Sequence, residues 1–222
     1  MLAFKPIEED NVARFSKYFQ CQKSRTCDYT LAGTFMWRKF FYSEYAVEEK
    51  MLFFRVKYIN GVTAFTFPIG CGSTEDALDR LEDYARRNNL RLIFCTVPEE
   101  GLAILQKRYR DAVTYTESRD WYDYLYVAED MRSFAGRRFS GQRNHVNKFR
   151  KLYPNYRYVP MNAENIGRVI EFFDRYAPEH VKDSPIAKEE TLRAKEILTY
   201  FQRFELLGGF LEVDEQIVAF SV

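Results

Sequence analysis

The chain has 222 residues, 46% of them apolar and 29% charged, with a formal net charge of +1. That length carries one large domain or two small ones, and the balance of residues excludes a disordered chain. No apolar run reaches the roughly 18 to 20 residues that span a bilayer, and "MLAFKPIEED" lacks the apolar core and small-residue cleavage site of a signal peptide. Twenty Phe and sixteen Tyr indicate a well-packed interior before they indicate binding. Cys21, Cys27, Cys71 and Cys95 form no C-x-x-C pair, and two histidines are too few to complete a zinc site. They read as reduced, mostly buried thiols, so the expectation is a cytoplasmic, metal-free protein.

From Glu9 to Gln20, Val12, Phe15 and Phe19 stand at helical spacing. "DYTLAGTFMWRKFFYSEY" continues with Leu31, Phe35, Trp37, Phe41 and Tyr45 near the same period. "MLFFRVKYI" and "GVTAFTFPIG" are short apolar strands, and Asn60-Gly61 between them predicts a hairpin. Ser73 and Thr74 precede "EDALDRLEDYARRNN", acidic early and basic late, as a helix dipole favours. "LRLIFCTVP" reads as a buried strand, "EEGLAILQKRYR" as a helix, and "AVTYTESRDWYDYLYVAED" as two more strands. In the last of these Tyr122, Tyr124 and Tyr126 alternate with Trp121, Asp123 and Leu125. Beyond residue 154, "YRYVPM" reads as a strand, and "AENIGRVIEFFDRYA" and "KEETLRAKEILTYFQRFEL" as helices. "GGFLEVD" and "QIVAFSV" pair across Asp214-Glu215. The order strand, two helices, hairpin thus recurs. The expected organisation is α/β (α+β): a domain over 1–130, a basic linking helix over 131–154, and a partial second domain over 155–222 whose final hairpin strand leaves it truncated.

The linking segment is one-signed. Between Met131 and Ala163 there are eight Lys or Arg and no Asp or Glu. Wound at about 100° per residue, it lines up Phe139, Val146, Phe149 and Tyr153 as a packing stripe. Arg143, Asn147 and Arg150 form a margin beside it, and Asn144, Lys148 and Lys151 lie further out. A solvated linker helix is one reading of such a face. Solvated helices usually alternate Glu with Lys, however, whereas cations without acids repel unless an anion offsets them. Phosphate-bearing partners suit this set: a nucleotide or coenzyme tail, tRNA, or a lipid headgroup. Weaker candidates are the Gly70 and Gly72 turn of "GCGSTED" as an anion cradle, His145 for acid/base work, and His180 in a polar loop. No nucleophile triad, Walker loop or metal-ligand spacing is present.

"GRRFSGQRNHVNKFRKLYPNYRY", with "DYTLAGTFMWRKFFYSEY" and "GGFLEVDEQIVAFSV", resembles a bacterial family related to the C-terminal domain of phosphatidylglycerol lysyltransferase. Its sharpest matches are "RNHVNKF" (143–149) and "IVAFSV" (217–222). The resemblance implies tandem GNAT-like acyltransferase folds akin to the Fem-type aminoacyltransferases, with mixed sheets flanked by helices. It also implies transfer of an acyl or aminoacyl group to an amine or hydroxyl, by orientation and charge stabilisation. On the matching positions it makes Arg143 and Lys148 anion-binding, Asn144 and Asn147 hydrogen-bonding and Phe149 structural, and Arg150 shares their basic face. The implied donor is acyl-CoA or aminoacyl-tRNA with no tightly bound cofactor, and no DNA sequence is read. The strands and helices that hold the donor in the family lie beyond this chain's last strand, so activity is expected of the full-length form. The alternatives are a non-catalytic anion- or RNA-binding module and an inactive fragment.

Overall fold

Apolar residues that alternate along the first hairpin decide how the N-terminal half is layered. In the computed structural model, which describes residues 1–58, 60–180 and 184–222 (179 and 180 by backbone alone), two units separate, Met1–Arg119 and Asp120–Val222. The first begins with β1 (Lys5–Pro6), a 3-10 turn at Val12–Phe15, α1 (Ser16–Phe19) and α2 (Leu31–Trp37). Thr30 caps α2, its hydroxyl accepting from the Gly33 amide at 3.0 Å. A β-carbon on Gly33 would collide with the Cys27 carbonyl, so the approach of turn and helix needs glycine. β2 (Glu44–Glu48) and β3 (Met51–Lys57) form a hairpin whose two turn residues, Glu49 and Lys50, are left-handed at φ 48° and 63°. β4 (Thr63–Thr66) follows the Asn60-Gly61 turn, with Gly61 at φ 82°, and β5 (Ile69–Gly70) also pairs with β3. α3 (Thr74–Arg87) is capped by Ser73; β6 (Phe94–Cys95) runs parallel to β4, and α4 (Glu99–Tyr109) follows.

The sheet order is β1-β2-β3-β4-β6. Ala46, Phe53 and Phe65 point to one face and meet Ala77 and Leu81 of α3. Tyr45 and Phe54 point to the other, with ring centroids 4.7 Å and 5.4 Å from Phe15. The period-two alternation of a strand thus places helices on both faces. Arg108 of α4 ties to α3 through Glu75 at 2.6 Å, Glu82 at 2.8 Å, and Asp79.

The second unit holds α5 (Ala128–Ser133), α6 (Ser140–Leu152), β7 (Arg157–Pro160), α7 (Ile166–His180), α8 (Pro185–Thr199), β8 (Gly209–Val213) and β9 (Gln216–Ser221). Its sheet is antiparallel in the order β7-β8-β9. Asn162 and Asn165 cap α7 reciprocally, each side-chain oxygen accepting a backbone amide of the other at 3.1 Å and 2.9 Å. Ser184 caps α8, with Pro185 at its first position. The core is Met161, Val169, Leu198, Phe201, Phe210 and Ile217. Asp214 and Glu215 turn the hairpin at φ 47° and 63°. Each unit therefore runs strand, two helices, two-residue hairpin, and places the first hairpin strand at the centre of three antiparallel strands. The fold is mixed α/β, with sheets flanked by helices.

Four sequence expectations are corrected. The helical period read as far as Tyr45 stops at Trp37: Trp37, Phe40 and Phe41 pack on one another, Tyr42 turns left-handed at φ 44°, and Tyr45 belongs to β2. "LRLIFCTVP" pairs only through Phe94 and Cys95. "AVTYTESRDWYDYLYVAED" contributes no strand; Arg119–Trp121 is a 3-10 turn and α5 begins at Ala128. Finally, Cys21 and Cys71 form a disulfide with Cα atoms 5.4 Å apart, Cys27 is exposed and Cys95 half-buried. Packing of α1 against β5 brings the two partners within bonding reach across 50 residues of sequence.

Candidate anion-binding site

α6 carries "SGQRNHVNKFRKL", and none of its residues is fully buried. Phe139, Arg143, Val146 and Phe149 are half-buried, whereas Tyr153 is 43% exposed, so Arg143 takes the place expected of the stripe's last ring. Its Nη1 donates to the Gly136 carbonyl at 2.7 Å and to the Phe134 carbonyl. Phe134 is left-handed at φ 46° and Gly136 at φ 85°, and the guanidinium closes this irregular turn together with the Phe139 amide, which also donates to the Gly136 carbonyl at 3.4 Å. Arg138 pairs with Asp130 at 2.6 Å.

Lys148, Arg150 and Lys151 are exposed, and among the described residues none of the three makes an ion pair. Asn144 and Asn147 are exposed beside them, the first next to Lys148 one turn on and the second one turn before Lys151. Beside this cationic face lies an apolar depression of about 390 Å³, lined by His145, Val146, Phe149, Arg150, Tyr156 and Leu211. Phe149 organises its wall, with ring centroids 5.1 Å from Tyr153 and 5.4 Å from Tyr156. A hollow of carbon with an imidazole and a guanidinium on its rim accepts an apolar or aromatic group attached to an anion.

The family model for the C-terminal region of phosphatidylglycerol lysyltransferase matches residues 19–222. The chain belongs to that family. A crystal structure of a conserved protein of unknown function from Bacteroides thetaiotaomicron VPI-5482 superposes with a TM-score of 0.86 at 25% identity, covering 99% of this chain and 74% of that one. No curated protein matches the sequence.

In this member of the lysyltransferase C-terminal family, other cations near the depression are engaged. Glu212, on β8 beside Leu211, has a side chain only 5% exposed between Arg157 at 2.7 Å and Arg168. The hydrogen bond from Arg168 leads in holding its carboxyl below the usual carboxylate range, against the cost of desolvation. Arg157 and Arg168 are therefore committed to Glu212, unlike Lys148, Arg150 and Lys151 of α6. Tyr156 and Leu211 were not legible as site residues in the sequence, where both sit in ordinary strand patterns; only the fold sets them against α6.

The remaining candidates have plainer placements. A β-carbon on Gly70 or Gly72 would strike the carbonyl of Lys50 or Glu49, so these glycines let the turn pack on the β2–β3 hairpin, and the Ser73 hydroxyl accepts the Asp76 amide of α3 at 3.2 Å. His145 is exposed on the rim of the depression. The His180 side chain lies outside the described residues. Among the described residues no three His, Cys, Asp or Glu group as metal ligands, and no helix is long and apolar enough to cross a membrane.

Proposed function

We propose that this protein is an acyl- or aminoacyltransferase-like member of its family, moving an acyl or aminoacyl group to an amine or hydroxyl acceptor, with the outer face of α6 as the seat of an anionic substrate. The observation that carries this reading is the triplet Lys148, Arg150 and Lys151, without acid partners among the described residues and beside an apolar depression, in a chain whose family is named for lysyl transfer. The repeated strand, two helices and hairpin support a tandem GNAT-like architecture, in which catalysis rests on holding donor and acceptor together. The donor is acyl-CoA or aminoacyl-tRNA: phosphates meet the three cations, Asn144 and Asn147 add neutral donors, and the depression takes the apolar part. Arg143 serves this site by fixing the turn that starts α6. No catalytic residue is assigned. A cytoplasmic setting belongs to the same reading, and there the Cys21–Cys71 pair is subject to reduction.

The test is a titration of the purified chain with coenzyme A, acyl-coenzyme A, and charged and uncharged tRNA at two salt concentrations. Saturable binding that depends on the acyl group supports transfer. Binding of any polyanion with a steep salt dependence supports the second reading, an RNA- or anion-binding module, which the same three cations favour. Absence of binding rejects both.

A further inference from the structure

Residues 121 to 127 read WYDYLYV, form no strand, and are exposed without exception. Trp121 is 68% exposed, Tyr124 86%, Leu125 67% and Tyr126 63%. Tyr124 and Tyr126 stack with ring planes 13° apart, so the two rings present one apolar ridge. Single apolar residues are ordinary on a surface, whereas a continuous run of this kind marks an interaction surface. Tyr and Trp anchor protein–protein interfaces by filling pockets on the partner.

Charge selects the partner. From Asp120 to Met131 the chain has four acids and no Lys or Arg. Glu129 pairs with Arg132 and Asp130 with Arg138, while Asp120 and Asp123 stand exposed beside and within the aromatic run. Such a segment repels a polyanion or an anionic surface, and it is complementary to a cationic face with an apolar hollow. This chain carries that face. Lys148, Arg150 and Lys151 of α6 have no ion pair among the described residues, and Arg150 lines the apolar depression of about 390 Å³. None of the residues 121 to 127 lines it, so a copy does not fill its own depression. The four aromatic side chains of the run, at about 150–250 Å² each, have about 400–650 Å² still to cover. When two copies exchange segments, each gives a ridge and a depression, and the area per copy comes to about the 800 Å² of a standard interface.

We propose that two copies of the chain associate reciprocally, the acidic aromatic segment Asp120–Val127 of each seated on the cationic face and apolar depression of α6 in the other. Two-fold pairing makes the contact self-complementary, since ridge meets hollow and acid meets cation twice. The inference goes beyond the transfer reading. It uses the same helix face but needs no donor, and paired copies cover the face that a bound anion would occupy.

The test is sedimentation velocity over a concentration series, with no nucleotide, tRNA or lipid present. The expected result is a species of twice the 26.5 kDa chain mass that gives way to monomer on dilution and at raised salt. An Asp120→Lys, Asp123→Lys variant and a Lys148→Glu, Lys151→Glu variant should each weaken association by about tenfold, with unchanged circular dichroism. Mixed in equal parts, the two variants should recover the dimer, because each reversed segment then meets a reversed helix and each native segment a native one. A chain that stays monomeric throughout overturns the proposal, and binding of that monomer to polylysine would give the segment to a different basic partner. A dimer that neither variant weakens, or a mixture that does not recover, overturns it as well. Because no donor enters the assay, a monomeric result leaves the transfer reading untouched, and a failed tRNA titration leaves the pairing untouched.

Discussion

Four cations on one short helix do different work, and the difference follows from what each touches. Arg143 is half-buried and donates to two carbonyls of the preceding turn, whereas Lys148, Arg150 and Lys151 are exposed and without ion pairs among the described residues. Charge-assisted hydrogen bonds of the first kind contribute about 1.5–3 kcal/mol. Arg143→Ala should therefore lower unfolding free energy by that order, measured by urea denaturation. A Lys148→Ala, Lys151→Ala double variant should stay within about 0.5 kcal/mol of the parent while binding tRNA more weakly. Glu212 yields a pH prediction. Its folded pKa is depressed by Arg168 and Arg157, so its stabilising contribution is present above its unfolded value of about 4.3 and lost as pH falls through the lower folded value. Glu212→Gln should lower the thermal midpoint at neutral pH, and the gap from the parent should close on acidification below about pH 4. A gap that persists in acid would locate the cost in packing instead.

At the scale of elements, competing local terms set the outcome. Gly101 lies buried in α4, and a β-carbon there would come within 3.0–3.2 Å of the Phe67 ring. Alanine improves helix propensity by about 1 kcal/mol, but Phe67 is itself held against Leu78 and Leu105, and overpacking costs about 1–3 kcal/mol. Gly101→Ala should be net destabilising in chemical denaturation, against the propensity scale. The same contest between local signal and tertiary context explains what the sequence disclosed. α3 and the β8–β9 hairpin were legible because cap, dipole and turn residues agreed with the apolar period, whereas α8, read from Lys188 to Leu206, starts at Pro185 and stops at Thr199. β2 was hidden because Phe41 and Tyr45 keep a helical spacing by coincidence, while the turn at Glu49-Lys50 uses two residues that are not typical of left-handed turns. The aromatic alternation of 121–127 is a true strand pattern, yet pairing also needs a partner edge, which no local pattern encodes. Of the site, the residues of α6 were readable from one-signed charge; Tyr156 and Leu211 were not, since their role comes from β7 and β8 folding back under the helix.

At the scale of the whole molecule, two units with the same order of elements differ in how they are fastened. The first closes 50 residues with the Cys21–Cys71 disulfide, and loop-closure entropy for that length amounts to about 4 kcal/mol. Reduction, or Cys71→Ser, should lower the calorimetric transition of the first unit and leave that of the second in place. A uniform shift of both would mean that the units unfold as one. The second unit presents Lys148, Arg150 and Lys151 on α6, and the central claim is that these three bind phosphate while Arg143 builds the helix that presents them. The most direct measurement is the slope of log K against log salt for uncharged tRNA, taken with the parent chain and with a Lys148→Ala, Arg150→Ala, Lys151→Ala variant. Each lost phosphate contact should flatten the slope by about 0.7–0.9, so the triple variant should lose about two units of slope with its fold intact. An unchanged slope would contradict the account and place the anion-binding surface elsewhere in the chain.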